Sequence, residues 1–177
     1  MLGLRFGSAQ SLQAPVPSGF RYLRFQFDAP WASRTSFFAN DLSGDATHRF
    51  GFVTQDGLLP NNLQTSATNP LLITESSKYG DSDANAGWRL FSSGFNAWSA
   101  TPNTDPKPWV TVDFGEIIND IVTGVRVISS ELPNSFSVYS STTGEFSGEE
   151  ILIGSKSGFV WNAFLTVQDF SFIQPLP

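Results

Sequence analysis

The chain has no cysteine, one histidine and one methionine. Without a thiol there is no disulfide framework, no thiolate metal site and no cysteine nucleophile. His48 lies in the polar stretch Asp45 to Phe50 with no nucleophile pattern beside it, so a structural or solvent-exposed role is expected of it. Positive charge is also scarce. Ten Lys+Arg stand against 16 Asp+Glu, a net charge of -6, and this balance argues against nucleic acid or an anionic membrane surface as the main partner. Long apolar runs are missing too: Arg5 and polar neighbours interrupt residues 1–20, so neither a signal-peptide core nor a membrane span can be drawn there. The expectation is a protein made in a cytoplasm and used without its own export signal. There is no glycine-rich phosphate loop, no zinc-ligand spacing, and no serine in a nucleophile elbow. The acidic pairs Asp81/Asp83 and Glu149/Glu150 could supply a general acid and base, but such pairs are more commonly solvated loop or strand-edge charges. An enzyme is not expected.

What the chain does have is rings. Of its 177 residues 17 are Phe and 5 are Trp, while charged residues make up only 15%, a profile in which large side chains fill a core between polar loops. The length suits one domain. Residues 1–18 are polar, proline-bearing and without periodicity, and read as an arm or linker able to dock on a neighbour; residues 19–177 read as the domain. Alternation predicts strands along it. Over Gly19 to Phe27 it puts Phe20, Tyr22, Arg24 and Gln26 on one side, with Arg21, Leu23, Phe25 and Phe27 on the other. Val110, Val112 and Phe114 share a face and are expected to bury together in a run that Gly115 ends. Val125 with Val127, and Phe136 with Val138 and Ser140, repeat the pattern. Phe50 to Thr54, Leu71 to Glu75 and Phe164 to Ile173 are further candidates, and Thr35 to Leu42 reads as a short strand or a turn of helix. The cadence is that of an all-β sandwich.

Order and identity of these runs carry a resemblance. Trp98, then Pro108-Trp109-Val110-Thr111-Val112-Asp113-Phe114-Gly115, Gly124-Val125-Arg126-Val127 and Phe136-Ser137-Val138-Tyr139-Ser140-Ser141 follow one another. They are similar to the loop tryptophan, "PWLQVDLG", "GVRI" and "FSVYGS" strands of the discoidin or coagulation-factor C superfamily, the galactose-binding-like domains. About a quarter of the chain is covered strongly. The family's "YRYLRI" and acidic "AELEL" strands usually close the domain, whereas here Phe20 to Phe25 and Phe38 to Leu42 come first, as in a circular permutation. The resemblance therefore implies a permuted jelly-roll sandwich of the kind found in bacteriophage tail and other virion proteins. It also assigns Trp98 and Trp109 to the core, and Trp161, which opens an apolar run, is expected there as well.

The candidate site follows from the segment before Trp98. Asp83-Ala84-Asn85-Ala86 matches the start of the family's calcium-binding "ANAFDGN" loop, but Gly87-Trp88-Arg89 stand where "FDG" would be, so the family's aspartate is absent. Asp81, Asp83 and Asn85, with Asp41, are the oxygen-rich set able to hold a hard cation such as calcium; capping of the loop by the same side chains is the competing and preferred role. No other cofactor is expected. Trp88, Arg89, Phe91 and Phe95, with Trp31, form a candidate recognition surface, because rings face sugar C–H groups and an arginine fork holds hydroxyls or carboxylates. The same residue types also cover open sandwich ends and subunit interfaces. The expected function is a non-catalytic virion structural protein of tail, neck or fibre attachment, homo-oligomeric and packed on other virion subunits, with host-surface glycan as a further ligand. The alternative is a carbohydrate-binding module or accessory domain of a secreted bacterial protein or glycoside-processing enzyme.

Overall fold

A computed structural model describes residues 19–30, 37–38, 50–61, 64–92, 97–103, 105–128, 133–162 and 166–172. Among these residues eleven strands arise in chain order: β1 Phe20–Phe27, β2 Phe37–Phe38, β3 Gly51–Thr54, β4 Leu58–Leu59, β5 Leu72–Glu75, β6 Ala97–Trp98, β7 Trp109–Ile118, β8 Val122–Ile128, β9 Ser135–Ser141, β10 Ile151–Ser157 and β11 Val167–Ser171. Between β5 and β6 the chain makes three short 3-10 turns, the last over Gly87–Phe91. The strands form two antiparallel sheets, ordered β10-β9-β1-β7-β5 and β4-β3-β8-β2-β6, with β11 also paired to β8.

Both sheets pack on one apolar cluster, the arrangement of a β-sandwich. Phe25 of β1 meets Phe136 of β9 at 4.9 Å between ring centres and reaches Phe50, next to β3, at 5.3 Å. Phe136 in turn touches Phe170 of β11 at 5.1 Å. These edge-on and tilted contacts tie one sheet to the other through rings, each adding a modest electrostatic preference to the apolar area removed from water.

The alternating pattern translates directly into burial in most strands. Leu23, Phe25 and Phe27 are fully buried, as are Val110, Val112, Val125, Val127, Phe136 and Val138. Phe114 packs partly buried against the same cluster. Two details differ from the alternation. At the start of β1 it is Phe20 that is buried and Arg21 that is not. The ladder explains this: the step from Phe20 to Tyr22 on β1 spans Ile118 to Asp113 on β7, an irregularity that resets the phase and lets Phe20 pack edge-on against Phe114 at 5.8 Å. For the same reason Gly115 does not end its run. With φ +76 it carries the extra residues of this irregularity, and β7 continues to Ile118.

Of the weaker expectations, β3, β5 and β11 fall within the stretches proposed for them, and the Thr35 to Leu42 stretch holds the two-residue β2. Strand β10 has no counterpart in the sequence reading, since Ile151–Ser157 is an edge strand whose apolar residues do not alternate with burial. The arm expected at residues 1–18 lies outside the described residues. Phe25→Ala would open a cavity at the ring junction of the two sheets. A loss of about 3–5 kcal/mol is expected, seen as a fall in Tm of roughly 10 °C by differential scanning calorimetry.

Candidate functional site

Strand β1 is central in its sheet, so its outward side chains have neighbours on both flanks. Cross-strand pairing aligns Arg24 with Tyr139 of β9 and Thr111 of β7, and Thr111 in turn with Thr74 of β5. The adjacent row aligns Tyr22 with Ser141, Asp113 and Leu72. All of these alternate with the apolar core residues of the same strands and therefore share the outer face, where Thr111 and Ser141 are covered.

The loop from Thr142 to Glu150 folds back over this face. The Ser141 hydroxyl accepts the amides of Thr143 and Gly144 at 3.1 and 2.7 Å and donates to Glu149 Oε1 at 2.7 Å. Glu149 Oε1 also accepts the Phe146 amide at 3.0 Å, and Glu150 Oε2 accepts that of Gly148 at 2.7 Å. Desolvation raises the Glu149 carboxyl, but the hydrogen bonds from Ser141, Phe146 and Thr143 and the charge of Arg24 together outweigh it and leave it below its usual range. Gly144, with φ +84, lies so close to Tyr22 that an added Cβ would sit 2.8 Å from the ring. A loop this tightly bonded holds its ring, Phe146, in a fixed place.

That place is over Arg24. The guanidinium carbon lies 4.0 Å from the Trp109 ring centre and 3.7 Å from that of Phe146, so the cation is stacked between two aromatic faces. Its Nε donates to Thr111 Oγ1 at 2.9 Å. Among the described residues neither terminal nitrogen makes a hydrogen bond. Burial pulls the Arg24 pKa down to about 10, against the opposing pull of Glu150 and Glu149, and the group stays cationic at neutral pH.

Beside Arg24 is a pocket of about 380 Å³, whose lining includes Tyr22, Thr74, Trp109, Thr111, Asp113, Thr143 and Glu145. Asp113 is held by a two-pronged pair with Arg21, Nε to Oδ1 at 2.8 Å and Nη2 to Oδ2 at 3.0 Å. That hydrogen-bonded partner keeps the Asp113 carboxyl below its ordinary value. The pocket thus combines a stacked arginine fork, ring surface, three threonine hydroxyls and two carboxylates. Such a lining can bind a small polar ligand from several directions.

The residues singled out from sequence sit elsewhere. Phe91 is 0% exposed and meets Phe50 at 5.3 Å, and Trp88 is 8% exposed. Of the two roles open to these rings, the structure shows burial: the 3-10 turn Gly87–Phe91 directs both into the core. Trp88 Nε1 donates to Asp83 Oδ1 at 3.0 Å, and Arg89 donates to Asp83 Oδ2 at 3.1 Å and to its carbonyl at 2.9 Å. Arg89 also lies over the Trp88 ring, 4.6 Å from its centre. Asp83 is held below its ordinary pKa chiefly by the Trp88 bond. Asn85 Nδ2 donates to the Tyr79 carbonyl at 2.8 Å, and Asp81 is exposed with φ 51. Loop bracing accounts for Asp83 and Asn85, and the described residues contain no group of three His, Cys, Asp or Glu able to hold a metal. Trp31, Asp41, His48 and Phe95 lie outside the described residues.

Among the expected core tryptophans, Trp98 is fully buried and Trp161 packs partly buried against Phe159 and Phe170. Trp109 is the exception. It belongs to the face opposite Val110 and Val112, where it stacks on Arg24 instead of entering the core. A signal for the site was present in the sequence: the alternation that buries Val110, Val112 and Phe114 already turns Trp109, Thr111 and Asp113 outward, and it sets Arg24 opposite Phe25. The approach of Phe146 had no such signal. No family model, curated protein or solved structure matches the chain.

Two outcomes test this geometry. Gly144→Ala places a side chain at a left-handed φ and against Tyr22, and should cost about 1–2 kcal/mol or more, with a change in Trp109 fluorescence as Phe146 shifts. The Asp113 carboxyl has a folded pKa below its ordinary value of 3.8. Its stabilising contribution is therefore complete above that value and lost as pH falls through the lower folded one. Urea titrations from about pH 5 to about pH 2 should show this acid limb, and Arg21→Gln should flatten it.

Proposed function

We propose that this chain is a non-catalytic saccharide-binding and assembly module of a bacteriophage virion, in the tail, neck or a fibre attachment. The observation that carries the binding reading is Arg24, stacked between Trp109 and Phe146 and, among the described residues, with no hydrogen bond from its terminal nitrogens, beside a pocket of about 380 Å³. Guanidinium N–H groups suit the lone pairs of sugar hydroxyls, threonines and carboxylates suit their protons, and the Tyr22 and Trp109 rings offer apolar surface to C–H groups. A pocket of this size falls within the range of small-molecule sites, about 300–1,000 Å³. Asp113 is already committed to Arg21, and Glu149 and Glu150 to the loop backbone, so their arrangement favours holding a ligand over proton transfer.

The virion setting rests on the resemblance to permuted discoidin-like jelly rolls. A first strand paired at the centre of its sheet, between β7 and β9, is what that permutation requires. In this reading the chain packs with copies of itself and with other virion subunits, and the outward sheet face meets host-surface glycan.

Titration of the full chain with a panel of soluble mono- and disaccharides, followed by saturation-transfer NMR, tests the binding reading. At least one sugar should bind, and Trp109→Ala should weaken it by about tenfold or more. Unchanged affinity in Trp109→Ala would remove the pocket from the binding site. Mass spectrometry of purified particles tests the virion setting, which fails if the chain is absent from them.

A further inference from the structure

We infer that the Arg24 pocket selects neutral saccharides over sugars that carry a carboxylate; the inference rests on the saccharide reading above. An exposed arginine fork on its own would draw an anion. Here the charges around it decide otherwise.

The pocket wall holds Arg24 with Asp113 and Glu145; Glu149 and Glu150 act on Arg24 from the loop, and Arg21 pairs with Asp113. Arg21 is spent on Asp113, both of whose oxygens it binds. Among the described residues of the pocket, Arg24 is then the cation available to a ligand, and it already lies in the fields of Glu149 and Glu150. The Glu145 carboxylate lines the pocket itself. A carboxylate brought to Arg24 would gain one attraction and meet repulsion from Glu145 in the pocket wall and, at longer range, from Glu149 and Glu150, an effect greatest at low ionic strength. The chain's net charge of -6 adds a repulsive long-range field.

A hydroxyl-bearing, uncharged ligand meets none of this. Each hydroxyl donates one proton and accepts through its lone pairs, so it is best served by a wall with donors and acceptors interspersed. The terminal nitrogens of Arg24 supply fixed donors, Glu145 and Asp113 supply acceptors, and Thr74 and Thr143 can do either. Stacking between Trp109 and Phe146 holds the fork's plane, so its two terminal nitrogens can address vicinal hydroxyls without first being ordered.

The test measures binding of the full chain to glucose, galactose, N-acetylglucosamine and their disaccharides, alongside glucuronic acid, galacturonic acid and N-acetylneuraminic acid, by saturation-transfer NMR at low ionic strength. Neutral sugars are expected to bind at least about tenfold more tightly than their acidic counterparts. Glu145→Gln, a change on an exposed loop, should narrow that ratio several-fold by improving the acidic sugars. Arg24→Lys keeps the charge but not the fork, and should lower neutral-sugar affinity by about tenfold or more, with circular dichroism checking that the sheet persists. Glucuronic acid binding as tightly as glucose, or a ratio unmoved by Glu145→Gln, would overturn the selectivity while leaving the saccharide reading in place. Failure of every sugar, neutral and acidic, would overturn that reading and this inference with it.

Discussion

Leu23, Phe25 and Phe27 enter the core from the same strand whose other face carries Tyr22 and Arg24, and that strand is hydrogen-bonded on both edges. The register of β1 against β7 and β9 therefore sets two things together. It sends the phenylalanines to meet Phe50 and Phe136, and it brings Arg24 level with Thr111 and Tyr139. Side-chain period in a strand is two, so a slip of one residue would drive a guanidinium into the ring cluster and a phenyl ring into water. The irregularity at Phe20 and Gly115 lies at one end of β1, where the phase can be reset without disturbing the centre. Core and pocket are two faces of one pairing.

Arg24 survives partial burial because its surroundings answer the specific shape of a guanidinium. The flat faces are covered by Trp109 and Phe146, and one edge is bonded to Thr111. Glu149 and Glu150 favour its charge from a distance, although burial still lowers its pKa. A lysine ammonium is a compact, strongly hydrated point charge and has no flat faces to stack, so the same niche would serve it poorly. The loop that brings Phe146 is itself fastened by Ser141, Glu149 and Glu150. The acidic pair Glu149/Glu150, expected from sequence as loop or strand-edge charge, thus shapes the loop.

The same chemistry appears a second time with a different outcome. At the Gly87–Phe91 turn an arginine again lies over a tryptophan beside a carboxylate, Arg89 on Trp88 with Asp83. There the tryptophan is 8% exposed, its N–H is consumed by Asp83, and Arg89 is tied to the same residue. What results is a brace that closes one part of the core. Residue types alone do not separate a closed brace from a stacked arginine beside an open pocket. The difference lies in whether the arginine's donors are already satisfied and whether a cavity adjoins them.

Period-two alternation determined most of the strands and the all-β class, because a half-buried sheet imposes that pattern on sequence wherever one face is apolar. It was enough to bury Leu23, Phe25, Val110, Val112, Val125, Val127, Phe136 and Val138, and to turn Arg24 and Trp109 the other way. It did not reveal edge strand β10, where neither face is deeply buried and the pattern has nothing to record. Nor did it tell which of two aromatic and arginine groupings would be open. Trp88 and Phe91 could be read as a recognition surface or as packing because 3-10 turns leave no distinct period, and only the packing of that turn onto both sheets decided that their rings go inward. Arg24, Trp109 and Phe146 come from three distant stretches of chain, and strand pairing and a folded-back loop bring both ring centres within 4.0 Å of the guanidinium carbon. Long-range contacts of that kind leave no local trace, so the site belongs to the tertiary structure even where each of its residues was already facing the right way.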